Sequence, residues 1–356
     1  MKTINGFKSL IIKENKLILS NLNGLYVYNL NNEKLKKIYN FKFTFRSILS
    51  YFGKPFRRLF REDVSIAISE NKENILYVKS KKIISLNISN STINYEIKIP
   101  RGSRPLNFLN IKSNQNFDEG IYFGEYFSNA KKESVSIFKI ENKKLKSVYT
   151  FKKDTINHIH NLVIDNIIGC VWVLAGDFGN GAAIFQAKHN FKSVKKIVGG
   201  LQKFRSCVAF PVQDGLLYAT DSQFVSNSVR ILSKKNDSWI DKKIININGP
   251  SIFGTSINKK YFFSTSVEAI NSGNLIKKLL RNKRGPGVIE NQSEIVCGDL
   301  ETGFKTIYEN KKDLFPFILF QFGNILFPSG INNTNKLIFT PIALKNNDFD
   351  TKIIDL

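Results

Sequence analysis

Short apolar segments recur along almost the whole chain, and polar clusters rich in Asn, Lys, Ser and Gly separate them. Each segment is about five to eight residues long, which is typical of β-strands, and helical periodicity is rare. The segments fall into groups of four, from a first group that begins at Ser9 to a seventh that spans Phe317 to Ile354. The chain is therefore predicted to be all-β and built from a repeated four-stranded unit.

The second strands of five groups align with one another: IYFGEYFSN, VWVLAGDFGN, LLYATDSQF, YFFSTSVEAIN and ILFPSGIN. In four of them an acidic residue lies at a matching place, namely Glu125, Asp177, Asp221 and Glu268. Their separations, roughly 44 to 52 residues, match the length of one blade of a β-propeller. Residues 1–356 are therefore predicted to form a single propeller with seven four-stranded antiparallel blades. Six blades are the alternative if the first or last group is irregular, and a tandem of β-sandwiches is a third.

Two segments interrupt the repeat, at residues 41–61 and 269–290. The first mixes aromatic residues with Arg46, Arg57, Arg58 and Arg61 in a partly helical rhythm. It is predicted to pack on the propeller with its arginines solvated; the alternatives are an insertion that covers a ligand or makes peripheral contact with a membrane surface. The second carries LIKKLLRNKRGPG and is predicted to be a basic loop.

The chain is strongly basic, with 53 Lys and Arg against 29 Asp and Glu and a formal net charge of +24. Such an excess suits a protein that binds nucleic acid, a membrane surface or an anionic substrate. An AT-rich genome would give the same surplus of surface lysine without any ligand. Because no nucleic-acid recognition motif is present, no specific nucleic-acid partner is expected.

The cysteines and the apolar segments bear on the compartment. Three widely spaced cysteines indicate neither a disulfide framework nor a zinc knuckle, and they fit a reducing environment. No apolar run reaches the length of a transmembrane segment, and Lys8, Lys13 and Lys16 interrupt the first one. We expect a cytoplasmic protein, and nothing in the sequence indicates its oligomeric state.

The propeller prediction also sorts polar residues by face. The turn that enters an innermost strand and the turn that leaves a second strand lie on the same face of a propeller. The unusual polar residues of this chain occupy those two kinds of turn: Arg101, Arg104, Tyr126, His158, His160, Gln202 and Arg205, with the four acidic residues. They are therefore predicted to meet at one mouth of the central channel, as a binding or catalytic pocket. The alternative is that the acidic residues only cap turns.

His158 and His160 are two of only three histidines in the chain, and alternation along a strand places both imidazoles on one face. The pair is predicted to transfer protons or bind an anion. Ligation of a divalent metal with Glu125 or Asp177 is a less favoured alternative, and hydrogen-bonded lining of the channel is another. No cofactor is therefore expected.

The arginines and carboxylates suggest what the pocket binds. Arg101, Arg104 and Arg205, with Gln202, Asp221 and Glu268, are the predicted ligand-binding residues, because guanidinium groups bind carboxylates well. Ion pairs of these arginines with Glu125 or Asp177 would explain the same residues without a ligand. The four acidic residues supply more carboxylates than the two that glycoside hydrolysis needs. Tyr126, beside Glu125, is a candidate nucleophile.

The segments RGSRPLNF, IYFGEYFSN, INHIHNLVID, VWVLAGD and GGLQKFRSCVAF, with the second strands that follow them, carry a family resemblance. Over residues 100–330 the chain resembles the sialidase-like (Asp-box, or BNR-repeat) propellers, especially members encoded near bacterial surface-polysaccharide genes. LSKKNDSWI resembles a degraded Asp box that keeps Ser233 and Trp239. The resemblance implies a glycan ligand. The catalytic roles of true sialidases do not carry over, because the order of Arg, Tyr and Glu residues differs from theirs.

The functional hypothesis from the sequence is a glycoside hydrolase or polysaccharide lyase that acts on an acidic sugar or a surface-polysaccharide precursor, with hydrolysis favoured over elimination. His158, His160, Asp177, Glu125 and Tyr126 are its candidate catalytic residues. The alternative is a propeller without catalysis that binds a glycan or a protein of polysaccharide biosynthesis.

Overall fold

The structure, a computed structural model, describes residues 1–112, 116–269 and 283–356. It contains seven four-stranded antiparallel sheets, so the prediction of a seven-bladed propeller is confirmed. Within each of the first six blades, strands that follow one another in sequence pair with one another. The first strands of neighbouring blades contact each other and therefore surround the central channel.

The strands are as follows. Blade 1 comprises β2 (Lys8–Lys13), β3 (Lys16–Asn21), β4 (Gly24–Asn29) and β5 (Leu35–Asn40), and blade 2 comprises β6 (Ala67–Ser69), β7 (Asn74–Lys79), β8 (Lys82–Asn87) and β9 (Thr92–Lys98). Blade 3 comprises β10 (Leu109–Ile111), β11 (Gly120–Gly124), β12 (Val135–Glu141) and β13 (Lys144–Phe151). Blade 4 comprises β14 (His158–Asp165), β15 (Cys170–Gly176), β16 (Ala183–Lys188) and β17 (Ser193–Gly199). Blade 5 comprises β18 (Ser206–Val212), β19 (Gly215–Thr220), β20 (Asn227–Lys235) and β21 (Ser238–Ile247), and blade 6 comprises β22 (Ser251–Ile257), β23 (Lys260–Thr265), β24 (Gln292–Asp299) and β25 (Gly303–Lys311).

Blade 7 combines the two ends of the chain. Its strands β26 (Asn324–Leu326), β27 (Lys336–Ile342) and β28 (Thr351–Asp355) are completed on the outside by β1 (Lys2–Ile4). The register pairs Lys2 with Ile353 and Ile4 with Thr351. The sequence pattern did not predict β1, because the strand has three residues and Ile4 is its single large apolar one. This strand closes the ring and covers an edge that would otherwise be open for pairing.

The core lies between neighbouring sheets, where apolar side chains of adjacent blades interlock. Between blades 3 and 4, for example, Ile137 and Tyr122 pack in one cluster with Ile159, Val173 and Phe185. The second strand of blade 4, β15, is buried along its whole length, as expected for a strand covered on both faces. These packed layers hold the ends of the strands at the channel mouth in fixed positions.

The insertion at residues 41–61 forms two short helices, α1 (Phe45–Leu49) and α2 (Lys54–Phe60), joined by a 3₁₀ turn. Contrary to the prediction of solvated arginines, Arg57 and Arg58 are buried. Arg57 pairs with Asp63 at 2.6 Å, and Arg58 pairs with Asp313 and Asp348. A further short helix, α3 (Phe317–Phe320), packs against α2.

No helix in the described part of the chain has the length and apolar character needed to cross a membrane. Most of the second predicted insertion, 269–290, lies outside the described residues, which resume at Lys283.

Candidate functional site

The candidate site lies where the second strands of blades 3 to 6 end. Strand β15 ends at Gly176, and His158 at the start of β14 is its partner in the antiparallel register. Asp177 follows Gly176 directly, so the pairing of the two strands places its carboxylate beside the imidazole of His158. Asp221 and Glu268 follow β19 and β23 at the same edge.

A β-bulge directs residues of the inner strands to this site. The register of β14 skips His160, and that of β18 skips Cys207, because one extra residue is inserted at each place. The same shift occurs in β2 and β22, where Leu10 and Ile252 are the extra residues. A bulge bends its strand and re-aims the side chain, a common device next to functional sites.

The two imidazoles meet Asp177 in a tight triangle. Nε2 of His158 lies 3.0 Å from Nε2 of His160, and the two nitrogens lie 3.1 and 3.2 Å from Oδ1 of Asp177. The other ring nitrogens face backbone carbonyls: Nδ1 of His158 is 3.1 Å from the oxygen of Phe127, and Nδ1 of His160 is 3.0 Å from that of Ser206. Both histidines are buried.

Arg205 stands between two carboxylates. Its Nε lies 3.2 Å from Oδ1 of Asp177 and 3.3 Å from Oδ2 of Asp221. Even so, Nε and Nη1 of Arg205 and Oδ1 of Asp221 are buried and make no hydrogen bond within the described residues. Burial alone would raise the pKa of Asp177, but contacts with both imidazoles and the charge of Arg205 outweigh it and hold that pKa well below its usual range.

Glu268 lies at the same mouth in a different electrostatic state. It is 7% exposed and accepts a hydrogen bond from the hydroxyl of Ser266 at 3.0 Å. Burial and the nearby charge of Asp221 raise the pKa of Glu268 to about 7. Near neutral pH this group is therefore partly protonated and can donate as well as accept a hydrogen bond.

Tyr126 and Arg104 complete the pocket. The Tyr126 ring packs on His158 with centroids 4.5 Å apart, and burial raises the pKa of its hydroxyl well above the usual value. Arg104 is half-buried near Tyr126, and burial lowers the pKa of its guanidinium. Among the residues that the structure describes, Arg104 makes no hydrogen bond or ion pair with a side chain or backbone group. Within the described residues it is a desolvated positive charge without a partner.

Two other predicted site residues are paired with each other. Arg101 donates to the carboxylate of Glu125 through Nε at 2.8 Å and through Nη2. Glu125 is 4% exposed and also accepts from the backbone N–H of Ser136 at 2.8 Å. An ion pair with Glu125 was the alternative to ligand binding by Arg101 that the sequence left open.

Gln202 forms hydrogen bonds that link two turns at the mouth. Its amide donates to the backbone oxygen of Asp177 at 2.8 Å and accepts from the hydroxyl of Ser222 at 2.9 Å. It therefore holds the turn that carries Asp177 against the neighbouring blade.

Sequence reasoning missed Cys207, because the bulge that turns its side chain into the site leaves no mark in the hydrophobic pattern. Its Sγ donates to Oδ2 of Asp221 at 3.1 Å, and burial raises the pKa of the thiol well above its usual value. It also missed the exposed pair Phe178 and Phe224, whose rings meet edge to face with centroids 5.8 Å apart. A signal in the sequence could have identified this pair: Phe178 follows Asp177 by one residue, and Phe224 follows Asp221 by three.

The channel below the site is narrow. A cavity of about 140 Å³ lies along the inner strands and is lined in part by Lys8, Asn107, Asn161 and Cys207. Ligand pockets usually measure about 300 Å³ or more. A ligand larger than a few atoms therefore does not fit inside this cavity.

Comparison with solved structures shows the fold alone. The chain is similar to a structure described as the AfRom2 CNH domain (TM-score 0.55, 8% identity, 100% of this chain and 97% of that one). It is also similar to the WD40 β-propeller domain of Doa1 (TM-score 0.54, 9% identity, 99% and 94% covered). A third is the Cps50 (Swd1) β-propeller domain of Myceliophteria thermophila (TM-score 0.50, 8% identity, 100% and 98% covered). No protein-family model and no curated protein sequence matches the chain. The comparisons thus establish a propeller, and they leave the sialidase-like resemblance as a hypothesis.

Proposed function

We propose that this propeller binds an acidic carbohydrate at the channel mouth and cleaves it by β-elimination. The observation that carries the proposal is the guanidinium of Arg104, which is half-buried without a partner in the described structure and lies near Tyr126. A desolvated cation of this kind gains most from an anionic ligand that it can bind bidentately. Arg205, with unpaired N–H donors of its own, lies across the same pocket.

The carbohydrate character of the ligand rests on two features. The sialidase-like resemblance implies a glycan, and the exposed rings of Phe178 and Phe224 offer an apolar aromatic surface beside Arg205, whose guanidinium lies 5.9 Å from the Phe178 ring centre. Sugar rings stack on aromatic faces while their hydroxyl and carboxylate groups need polar partners. A uronic acid satisfies both requirements.

The proposed step is balanced as follows. Arg104 neutralises the sugar carboxylate and Arg205 donates hydrogen bonds to it, which makes the adjacent C5–H more acidic. A base takes that proton, the C5–H electron pair forms a C4–C5 double bond, and the C4–O glycosidic bond breaks with its electrons on the leaving oxygen. That oxygen takes up a proton from an acid. Glu268, which is partly ionised near neutral pH and has Arg205 among the charges around it, is the proposed base that takes the C5 proton. Tyr126, whose raised pKa keeps its hydroxyl protonated, is the proposed acid that donates a proton to the leaving oxygen.

Elimination is favoured over hydrolysis because the carboxylates are occupied. Asp177 and Asp221 flank Arg205, and Glu125 holds Arg101. Hydrolysis by the usual route needs two carboxyl groups free to act on the glycosidic bond. Of the four acidic residues that follow the second strands, Glu268 is the one without an ion pair within 4 Å among the described residues.

The test is incubation of the purified protein with a panel of uronate-containing polysaccharides. Elimination adds no atoms, so the masses of its two products sum to that of the substrate, and one product carries an ultraviolet-absorbing double bond. Hydrolysis adds one water and gives no double bond. Tyr126→Phe is expected to lower turnover by about 100-fold or more. The matched control is Tyr149→Phe, outside the site. Reducing ends without unsaturated product would replace the lyase with a hydrolase, and binding without any product would leave only the glycan-binding role.

A second role is favoured by the surface of the insertion at 41–61. Six large apolar side chains are exposed there, with Phe45 at 75% and Phe52 at 71%; the full set is Phe43, Phe45, Ile48, Tyr51, Phe52 and Phe56. The segment contains no acidic residue, and Lys42, Arg46, Lys54 and Arg61 are exposed. Aromatic and basic side chains on one short helical surface fit the interface of an anionic membrane.

Sedimentation with vesicles tests this contact. The protein is expected to bind vesicles that contain anionic phospholipid and to bind neutral vesicles weakly. The double variant Phe45→Ser, Phe52→Ser should lose most of this binding, whereas Ile167→Ser, at an exposed apolar residue of blade 4, should not. Equal binding by wild type and the double variant would exclude the insertion as the contact.

A further inference from the structure

We propose that His158, His160 and Asp177 form a binding site for a divalent transition-metal ion. The ligand atoms are Nε2 of each histidine and Oδ1 of Asp177, which approach one another to 3.0–3.2 Å. This site goes beyond the proposed carbohydrate function and does not depend on it, because metal binding is measured without any sugar.

The hydrogen bonds of the imidazoles fix which nitrogen faces the ion. A backbone carbonyl can only accept, so Nδ1 of His158 donates to the oxygen of Phe127 and Nδ1 of His160 donates to that of Ser206. In a neutral imidazole the proton then resides on Nδ1 and the lone pair on Nε2. An N–H that bonds a carbonyl behind the ring is the usual support of a metal-binding histidine. Two lone pairs and one carboxylate oxygen thus converge on the same point.

The spacing of the three atoms fits an ion. Zinc binds histidine nitrogen and carboxylate oxygen at about 2.0–2.1 Å. At those bond lengths, ligand atoms lie about 2.9 Å apart at a right angle and about 3.3 Å apart at the tetrahedral angle. The observed 3.0–3.2 Å falls between these limits. Without a cation or a shared proton, three acceptors this close would repel one another.

The surrounding charges tolerate a cation. Arg205 is the basic group nearest to Asp177, and its charge is offset by Asp221 on its other side. Cys207 and Asp221 form a second possible set with His160. There, however, the Cys207 thiol donates its hydrogen to Asp221, so the geometry favours the His158 set.

The ligand set indicates the class of metal. Two imidazoles and one carboxylate suit Zn²⁺, Mn²⁺, Fe²⁺ or Co²⁺, whereas Mg²⁺ and Ca²⁺ prefer oxygen ligands alone. Three protein ligands leave at least one coordination position for water or a ligand, which is the arrangement of catalytic rather than structural sites. A carboxylate held by Arg104 would lie within the same pocket.

The full chain, stripped with a chelator and dialysed against Zn²⁺, Mn²⁺ or Co²⁺, provides the test. We expect one equivalent of bound Zn²⁺ by mass spectrometry of the element, a higher melting temperature with the ion, and a visible Co²⁺ spectrum typical of four or five ligands. Mg²⁺ should give neither uptake nor stabilisation.

Variants assign the site. Asp177→Asn and His160→Gln should each weaken Zn²⁺ binding by at least about tenfold, since even second-shell partners are worth about 10–100-fold. The control is His189→Asn, because His189 is the third histidine and lies exposed in the turn between β16 and β17 on the opposite face. Circular dichroism checks that each variant folds.

The wild-type Co²⁺ spectrum keeps the test decisive if a variant misfolds. Uptake below one tenth of an equivalent for all three ions would overturn the proposal and leave a proton shared between the imidazoles. A spectrum typical of hexaaqua Co²⁺, or loss of binding in His189→Asn alone, would overturn it as well.

Discussion

His160 and Cys207 occupy the same β-bulge in neighbouring inner strands of the propeller. His160 is the extra residue of β14, Cys207 that of β18, and Nδ1 of His160 bonds the carbonyl of Ser206, which directly precedes Cys207. One local irregularity, repeated in successive blades, therefore turns a base and a thiol toward the same point. The position of these side chains depends on the bulge more than on the strand pattern.

Cys207 is expected to be unreactive in the folded protein. The thiolate is the reactive form of cysteine, and burial together with the charge of Asp221 raises the pKa of the Cys207 thiol well above its usual value. Alkylation with iodoacetamide followed by peptide mass spectrometry should label Cys297 first and leave Cys170 and Cys207 unmodified until denaturant is added. Rapid native labelling of Cys207 would show that the bulge does not bury it.

Arg101 and Arg104 should differ in their effect on stability, although both lie at the entrance to the third inner strand. Arg101→Ala leaves Glu125 buried without its partner, and because Arg101 is one-third exposed we expect a loss of about 1–3 kcal/mol in the free energy of unfolding. Arg104→Ala removes no hydrogen bond or ion pair of the described structure and should cost less than about 0.5 kcal/mol. Urea denaturation of the two variants measures both values. Equal losses would contradict the assignment of Arg101 to structure and Arg104 to ligand binding.

Glu268 should make stability fall as pH rises from about 4.5 to about 7. Its folded pKa of about 7 lies above the usual value of 4.5, so in this window the folded state keeps a proton that the unfolded state releases. The groups that face Glu268 are Asp221, Asp177 and Arg205. One pKa unit corresponds to about 1.4 kcal/mol, which bounds the effect at about 3 kcal/mol.

Glu268→Gln removes this titration and keeps the acceptor for Ser266. The variant should therefore be no more stable than wild type at pH 4.5 but more stable at pH 7.5. Thermal unfolding at the two pH values measures the difference. A stability difference that does not change with pH would contradict the raised pKa of Glu268.

The strand β1 should be required for a stable ring. Deletion of residues 2–4 uncovers the edge of β28 and removes Ile4 from its packing with Ile338 and Ile353. We expect a loss of about 1–2 kcal/mol, because Ile4 is partly buried and full burial of such a side chain is worth about 1.5–3 kcal/mol, and a greater tendency to aggregate. Replacement of Lys2, Thr3 and Ile4 by Val, which keeps the strand, is the control. An unchanged melting temperature after the deletion would show that blade 7 is stable with three strands.

The sequence pattern was sufficient for the blade repeat because every blade contains at least two strands of five or more residues, which are long enough to show alternation or full burial. It also indicated that His158, Asp177, Asp221 and Glu268 lie on one face, since that follows from the order of turns. It did not predict β1, which is short and has one large apolar residue. It also did not predict that Arg57 and Arg58 of the insertion are buried, since their burial depends on ion pairs with Asp63, Asp313 and Asp348.

The details of the site depend on contacts between blades. Side-chain positions that strand periodicity leaves open set the pairing of Arg101 with Glu125 rather than with Asp177 and the approach of His158 to His160. The same holds for Arg104, whose guanidinium has no ion-pair partner in the described part of the chain. The bulges at His160 and Cys207 add one residue to a strand and so shift the face of every residue that follows.

The most direct test of the central claim is calorimetric titration of a uronic acid oligosaccharide into wild type, Arg104→Ala and Arg101→Ala. Because Arg104 has no ion-pair partner among the described residues, Arg104→Ala is expected to weaken binding by at least about tenfold, the amount that about 1.4 kcal/mol represents. Arg101→Ala should bind within about twofold of wild type, and the methyl ester of the oligosaccharide should bind to no protein. Equal affinity of wild type for the acid and its ester, or unchanged binding by Arg104→Ala, would contradict an acidic-carbohydrate site at this mouth.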